Sequence, residues 1–244
     1  MMIDFHSHIL PGIDDGSRDL SMTESMLQEE ASQGVGLVTA TPHFYPNRMT
    51  VERFLSRRNS AMEKTEKILR DSVVPVPAIV CGAEVYYFPG IGQAKMIPEL
   101  CIGSTRTLLL EMPFEQWQPS VTEDIQALLD RGFCVVLAHV ERYEQFQRSR
   151  ETWETILALP ILKQLNAGSF LKPPGLQGLL TGSRIRSFCL DFLRDHPETI
   201  LGTDCHNLTG RKPNLAAARK IINERLGPEI LSRADRAVCT ALGL

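Results

Sequence analysis

The sequence predicts an α/β protein in which parallel strands alternate with crossover helices. Three observations carry this. Short β-branched or apolar runs recur along the 244 residues, longer stretches with apolar residues three to four apart lie between them, and glycine or proline marks several joints. The sheet could be open and doubly wound, or closed as a barrel. No phosphate-binding glycine loop (GxGxxG or GxxxxGK) follows the first strand, so the open nucleotide-binding form lacks its usual sign. A barrel would gather its functional groups at the C-terminal ends of the strands.

Seven strands are expected, at Met2–Phe5, Gly36–Ala40, Ala78–Gly82, Thr107–Glu111, Cys134–Ala138, Leu162–Asn166 and Ile200–Thr203. Helical spacing covers Met22–Gln33, Val51–Arg70, Val121–Arg131, Arg150–Leu159, Leu176–Arg194 and Asn214–Leu226. Gly34 and Gly132 stand just past two of these helices, and Asp195-His196-Pro197 ends the one before Ile200. No repeat, low-complexity tract or linker divides the chain, so one domain over residues 1–244 is expected.

Composition narrows the function classes. A net charge of −3 with no basic run gives no footprint for nucleic acid. The longest apolar runs, "LLLEMPF" and "FCVVLAHV", are far too short to span a bilayer, so no membrane insertion is expected. The first strand begins at residue 2, which leaves no room for a signal peptide and makes the cytoplasm the expected location. The six cysteines are scattered without a CxxC pair and read as reduced thiols, several of them in apolar runs.

The residues just past the strands are unusual. The first strand runs into His6 and His8, the second into His43, the third into Glu84, the fourth into Glu111. The fifth leads to His139 and Arg142, and the seventh to Asp204 and His206. Five of the six histidines fall at such positions, which random scatter does not produce. Singly, each has an ordinary reading: a solvated turn glutamate, a loop histidine, a hydrogen-bonded core histidine. Glu111 fits that reading poorly, because apolar residues on both sides suggest burial. Imidazole and carboxylate are ligands for Zn, Mn and Fe, and a carboxylate can bridge two ions. Alternation along a strand lets His6 and His8 converge while Ser7 turns away, and likewise Asp204 and His206 while Cys205 turns away. So many ligands exceed the needs of one ion and imply two or three.

The segments "DFHSHILPGIDDG", "TPHF", "GAEVY", "LLLEMPF", "AHVERY", "QLNAGSF" and "TDCHN", with Arg211 following, resemble the PHP (polymerase and histidinol phosphatase) superfamily. More narrowly they resemble its capsule and exopolysaccharide branch of manganese-dependent tyrosine-protein phosphatases. The resemblance implies a distorted (β/α)7 barrel, TIM-like, with its active site at the C-terminal ends of the strands. It implies three divalent ions, manganese foremost, with iron, zinc or magnesium also compatible. One ion would be held by His6, His8, Glu84 and Asp204, a second by Glu84, Glu111 and His139, and a third by Asp15, His43 and His206. Asp15 is chosen over Asp14 because the family uses the second aspartate of the pair. Arg142 and Arg211 match its phosphate-binding arginines, a role that suits a planar, permanently charged fork. Val140 and the "TDCH" segment depart from the branch's usual Pro and "SDAH", and neither departure touches a ligand position.

The implied activity is hydrolysis of protein phosphotyrosine by a metal-activated hydroxide, with the phosphotyrosine tail of a bacterial tyrosine kinase as partner. Tyr45, Tyr86, Tyr87, Phe88 and Phe114 are candidates for gripping such a tail. Three rivals stand beside this reading. Cys205 and Arg211 have the C-x5-R spacing of cysteine-dependent phosphatases, although "HNLTG" between them lacks a glycine-rich cradle. A phosphoesterase for a small molecule, such as histidinol phosphate or a nucleotide, is the second. A metal-stabilised regulatory domain without catalysis is the third.

Overall fold

Runs rich in Val, Ile, Leu and Phe form strands and amphipathic runs form helices in this computed structural model, which describes residues 1–72, 74–171 and 176–244. The strand segments among the described residues are β1 (Met2–Ser7), β2 (Val35–Ala40), β3 (His43–Phe44), β4 (Ala78–Cys81), β5 (Glu84–Tyr86), β6 (Thr107–Glu111), β7 (Cys134–Leu137), β8 (Leu162–Asn166) and β9 (Thr199–Gly202). The helices are α1 (Leu20–Ser32), α2 (Val51–Asp71), α3 (Ile97–Leu100), α4 (Ser120–Asp130), α5 (Arg150–Ala158), α6 (Leu176–Asp195), α7 (Leu215–Leu226) and α8 (Pro228–Leu242). Side-chain caps fix two starts: Met22 N–H donates to Asp19 Oδ1 at 2.9 Å, so α1 begins two residues before the expected Met22, and Arg53 N–H donates to Thr50 Oγ1 at 3.4 Å.

Every strand pairing is parallel, in the orders β1-β2-β4 and β3-β5-β6-β7-β8-β9. The segments β3 and β5 were not expected. They resume β2 and β4 beyond the breaks at Thr41–Pro42 and Gly82–Ala83, where Gly82 N–H donates to Ala40 O and Glu84 N–H to Pro42 O. At the far edge Ser7 bridges Cys205, His8 N–H donates to Cys205 O at 2.9 Å and Asp204 N–H to His6 O at 2.7 Å. Seven staves therefore follow one another round a distorted (β/α)7 barrel.

Two apolar cores result. Outside the barrel, Leu27, Phe54, Ile125, Ile156, Leu193 and Ile222 of the helices bury against Val38, Leu110, Leu137 and Leu165. Inside, Ile3, Phe5, Leu109, Val136 and Ile200 meet Val238, Ala241 and Leu242 of α8. That helix closes the end where β6 starts, with Thr107 Oγ1 donating to Ala241 O at 2.5 Å. It is absent from the expected helices, although Leu231, Ala234, Val238 and Ala241 recur at helical spacing after Gly227-Pro228. No helix among the described residues is long and apolar enough to cross a membrane.

Candidate metal centre

The open end of the barrel is built by local irregularities that aim polar side chains inward. Along β1, Asp4 pairs with Val38 and Ser7 with Ala40, so three steps face two and the strand carries an extra residue. This bulge changes which side chains face inward. Ile3 and Phe5 line the apolar interior, and beyond the bulge His6 and His8 turn in while Ser7 Oγ bonds outward to Thr39 O. The break after β2 sets His43 at the start of β3, and the break after β4 sets Glu84 at the start of β5, directly paired across the sheet. His139 and Asp204 leave β7 and β9 with φ of 29° and 53°, a left-handed backbone that non-glycine residues rarely adopt. Gly202 lets β9 approach β1: a Cβ there would stand 2.6 Å from His6 Cβ and 2.9 Å from His6 N.

All nine side chains expected as ligands lie in one pocket. Glu84 is its hub. Its Oε2 is 3.3 Å from Nε2 of His6, 3.3 Å from Nε2 of His8 and 2.8 Å from Nδ1 of His43, while Oε1 is 2.9 Å from Nε2 of His139. Asp204 Oδ1 lies 3.6 Å from His6 Nε2 and 3.3 Å from His8 Nε2, and those two nitrogens are 3.1 Å apart. Glu111 reaches His43 at 3.5 Å and His139 at 3.8 Å. On the outer side Asp15 Oδ1 is 3.5 Å from His43 Nε2 and 3.4 Å from His206 Nε2. His43 thus spans two of the expected groups, facing Glu84 and Glu111 with one nitrogen and Asp15 with the other.

Electrostatics follow from this crowding. Burial disfavours charge on Glu84 and Asp204, yet both are held well below the usual carboxylate range, chiefly by His6 beside each. Burial pushes His8 down, and Asp14, Asp204 and Glu84 outweigh it so that the net shift is strongly upward. His43 rises to about 9, because Glu111 and Glu84 overcome its own desolvation. His206 falls to about 3, through burial and the neighbouring His8 and Arg211. Several buried atoms here stand in close ion-pair contact with a neighbour without a well-directed hydrogen bond: Glu84 Oε2 and His43 Nδ1 face each other at 2.8 Å, Asp204 Oδ1 faces Arg211, and His206 Nε2 faces Asp15. Carboxylate and imidazole atoms converging this closely fit divalent first-row cations.

The sequence reading missed the residues that hold these groups in place. Gln164 Oε1 accepts from His139 N–H at 2.8 Å and is 3.0 Å from Nδ1 of His6, leaving the His6 Nε2 free to face inward. Gln164 Nε2 donates to Asn166 Oδ1, and Asn166 Nδ2 donates to Asp204 Oδ2 at 2.9 Å. Polar side chains on the otherwise buried β8 were the available signal. Asp14, set aside in favour of Asp15, sits 2.7 Å from His8 Nδ1 and accepts from the N–H groups of His43 and Gly16.

Two arginines rim the pocket, each about two-fifths exposed. Arg211 Nη2 is 2.6 Å from Asp204 Oδ1, and Arg142 Nη1 is 3.7 Å from Asp204 Oδ2. Cys205 points the other way, into a buried wall with Asp4 and Glu30, 3.7 Å from Glu30 Oε1. Burial and those two acids push its thiol well above the ordinary range, and it does not face the pocket. Of the aromatic candidates, Tyr45 packs on His43 and Tyr86 on Tyr45, and Phe114 stacks on His139. Tyr87 is a correction: it is buried and donates to Asp124 Oδ2 at 2.8 Å, bracing α4 and not lining the mouth. Phe88 likewise packs against the outer core.

Comparison with known proteins adds findings of three kinds. Residues 2–237 match the model of the family described as capsular polysaccharide synthesis, CpsB/CapC. Tyrosine-protein phosphatase CpsB of Streptococcus agalactiae serotype III is 29% identical over 233 residues, 93% of this chain and 92% of that protein. Tyrosine-protein phosphatase YwqE of Bacillus subtilis is 25% identical over 230 residues, 94% of this chain and 87% of that protein. Among solved structures, a chain from the pair YwqE of B. subtilis and CpsB of Streptococcus pneumoniae, called unique metal-dependent tyrosine phosphatases, superposes with TM-score 0.80 at 22% identity over 98% of this chain and 93% of that one. The Escherichia coli phosphotriesterase homology protein shares the fold more distantly, with TM-score 0.53 at 12% identity over 95% and 94%.

Proposed function

The chain belongs to the CpsB/CapC family of capsular polysaccharide synthesis proteins, and from that premise we propose that it is a metal-dependent phosphatase acting on phosphotyrosine in proteins. The observation that carries the reading is the convergence of four imidazoles on the buried Glu84, beside two partly exposed arginine forks. His6, His8, Glu84 and Asp204 would hold one divalent ion, Glu84, Glu111 and His139 a second, and Asp15, His43 and His206 a third. Manganese suits this mixed set, as do iron, zinc and magnesium. When bound, such ions supply an activated water and neutralise charge on the phosphoryl oxygens.

The chain's own groups supply the rest. Arg142 and Arg211 flank Asp204 from the solvent side, where they would donate paired hydrogen bonds to the non-bridging oxygens of a phosphate entering the mouth. Gln164 and Asn166 fix the orientation of His6 and Asp204, so that binding a phosphate need not reorganise them. A tyrosinate leaves with a pKa near roughly 10, and so departs with less proton assistance than an alkoxide would need. The exposed rim suits a segment of protein chain. Asp15 is 68% exposed and Arg142 42%, so the site lies at the surface and not at the bottom of a closed cavity.

By family, the partner is proposed to be the phosphotyrosine tail of a bacterial tyrosine kinase in the cytoplasm. The test compares turnover of a phosphotyrosine peptide and of histidinol phosphate by manganese-loaded protein. The proposal expects the peptide to be the better substrate by kcat/KM; preference for histidinol phosphate would reassign the site to small-molecule chemistry.

A further inference from the structure

Beside Arg142 a cleft of about 440 Å³ runs between the loop after β7 and the middle of α6. Phe114, Phe146, Ile185 and Phe188 form its apolar walls, with Arg142 and Arg184 at its rim. Exposed large apolar side chains are few among the described residues, and two of them, Phe114 at 38% and Ile185 at 42%, stand in this one cleft. Phe114 also joins the cleft to the metal centre. Its ring stacks on His139 with centroids 5.9 Å apart, and the Arg142 guanidinium lies 4.6 Å above its centroid.

We propose that this cleft is a subsite for an apolar side chain of the substrate, aromatic above all, two residues from the phosphotyrosine. The inference rests on the phosphotyrosine reading above and adds a sequence preference to it. The spacing argues for a neighbouring residue and against the phosphorylated ring itself. A ring esterified to phosphate starts one P–O–C bridge from the phosphorus, so it would lie close to the side chains that face the ions. Arg142 is the one expected phosphate-binding residue in this cleft and none of the expected metal ligands lines it, whereas Asp15 and His43 do line a separate cleft of about 430 Å³ with Tyr45 and Arg48. In an extended chain, side chains two apart point to the same side and stand about 6.5 Å from each other, which carries the second one past Arg142. Three phenyl walls favour an aromatic occupant through offset ring contacts, while the Arg142 guanidinium lies over Phe114 and Arg184 faces Glu144 at 3.8 Å.

The test uses manganese-loaded protein, 4-nitrophenyl phosphate, and synthetic phosphotyrosine peptides that carry Phe or Ala two residues before or two residues after the phosphotyrosine. The wild type should prefer Phe at one of these positions by about tenfold in kcat/KM, expressed in KM, since burying one large apolar side chain is worth at least that factor. Ile185→Asp, at an exposed position that tolerates charge, and Phe146→Ala should each bring the preference within about twofold while leaving 4-nitrophenyl phosphate turnover unchanged. Equal turnover of the Phe and Ala peptides at both positions would overturn the subsite. So would variants that lose 4-nitrophenyl phosphate turnover in step with the peptides, because the cleft would then hold the phosphorylated ring. Failure of the wild type to hydrolyse any of these esters would instead strike the phosphatase reading, and the subsite with it.

Discussion

Nδ1 of His8 lies 2.7 Å from Oδ2 of Asp14, while the adjacent Asp15 turns its carboxylate outward to His43 and His206. Two neighbouring aspartates therefore serve different ends. Asp14, nearly buried, fixes the ring of His8 so that Nε2 faces Glu84 and Asp204. Asp15 presents an exposed carboxylate at the rim.

Asp14→Ala should weaken metal binding about 10–100-fold by freeing the His8 ring. It should also lower the thermal midpoint, because the N–H groups of His43 and Gly16 lose their acceptor. Asp15→Ala should leave the midpoint of the metal-free chain unchanged and reduce the number of ions bound. Thermal melts and metal titration of both variants check this; a larger loss of metal-free stability from Asp15→Ala would contradict the assignment.

The two arginines should act on phosphate and not on metal. Arg142→Ala and Arg211→Ala are each expected to lower kcat/KM for a phosphotyrosine peptide on the order of 100-fold, the scale of losing a charged donor to a transition state. Lysine at either position should recover little, because a point charge does not replace a planar fork. Metal content measured alongside should stay at the wild-type value.

Stability should couple to pH through the histidines. His43 stands at about 9 in the folded metal-free chain, above its ordinary 6.5. Its contribution to folding is complete below pH 6.5 and is lost as pH rises through about 9. Bound ions displace that proton, so the metal-loaded chain escapes the loss. The gap between the midpoints of loaded and metal-free protein should widen across this interval, as scanning calorimetry at stepped pH would record. A constant gap would contradict the protonated histidine.

Cys205 is predicted to be chemically silent. Its thiol is fully buried and its pKa is raised by burial and by Glu30 and Asp4. Cys205→Ser should retain turnover within a few-fold, and iodoacetamide at pH 8 should not inactivate the folded protein. Loss of turnover in the serine variant with metal content intact would restore the thiol to the reaction.

Much of this was legible in the sequence because both signals are local. The strand at Thr107–Glu111 and that at Leu162–Asn166 are bounded as their apolar patterns indicate, and the polar residues after each strand mark the open end. The rest depends on contacts distant in sequence. Asp14 and Asp15 look alike until His8 and His206 are set on either side of them. Nothing local to Gln164 says that it meets both His6 and His139. The bulge in β1 shows only in its register against β2, and Tyr87 reads as a mouth aromatic until Asp124 of α4 takes its hydroxyl. Helix α8 did carry a legible amphipathic pattern, but its place as a plug for the barrel follows from closure of the sheet.

The most direct test is to strip the protein of metal with a chelator, determine bound ions by elemental analysis, and assay a phosphotyrosine peptide before and after adding back manganese. The account predicts more than one ion per chain in the loaded protein, no turnover in the stripped protein, and recovery on reloading. Full turnover in the stripped protein, or saturation at a single ion that restores all activity, would contradict it.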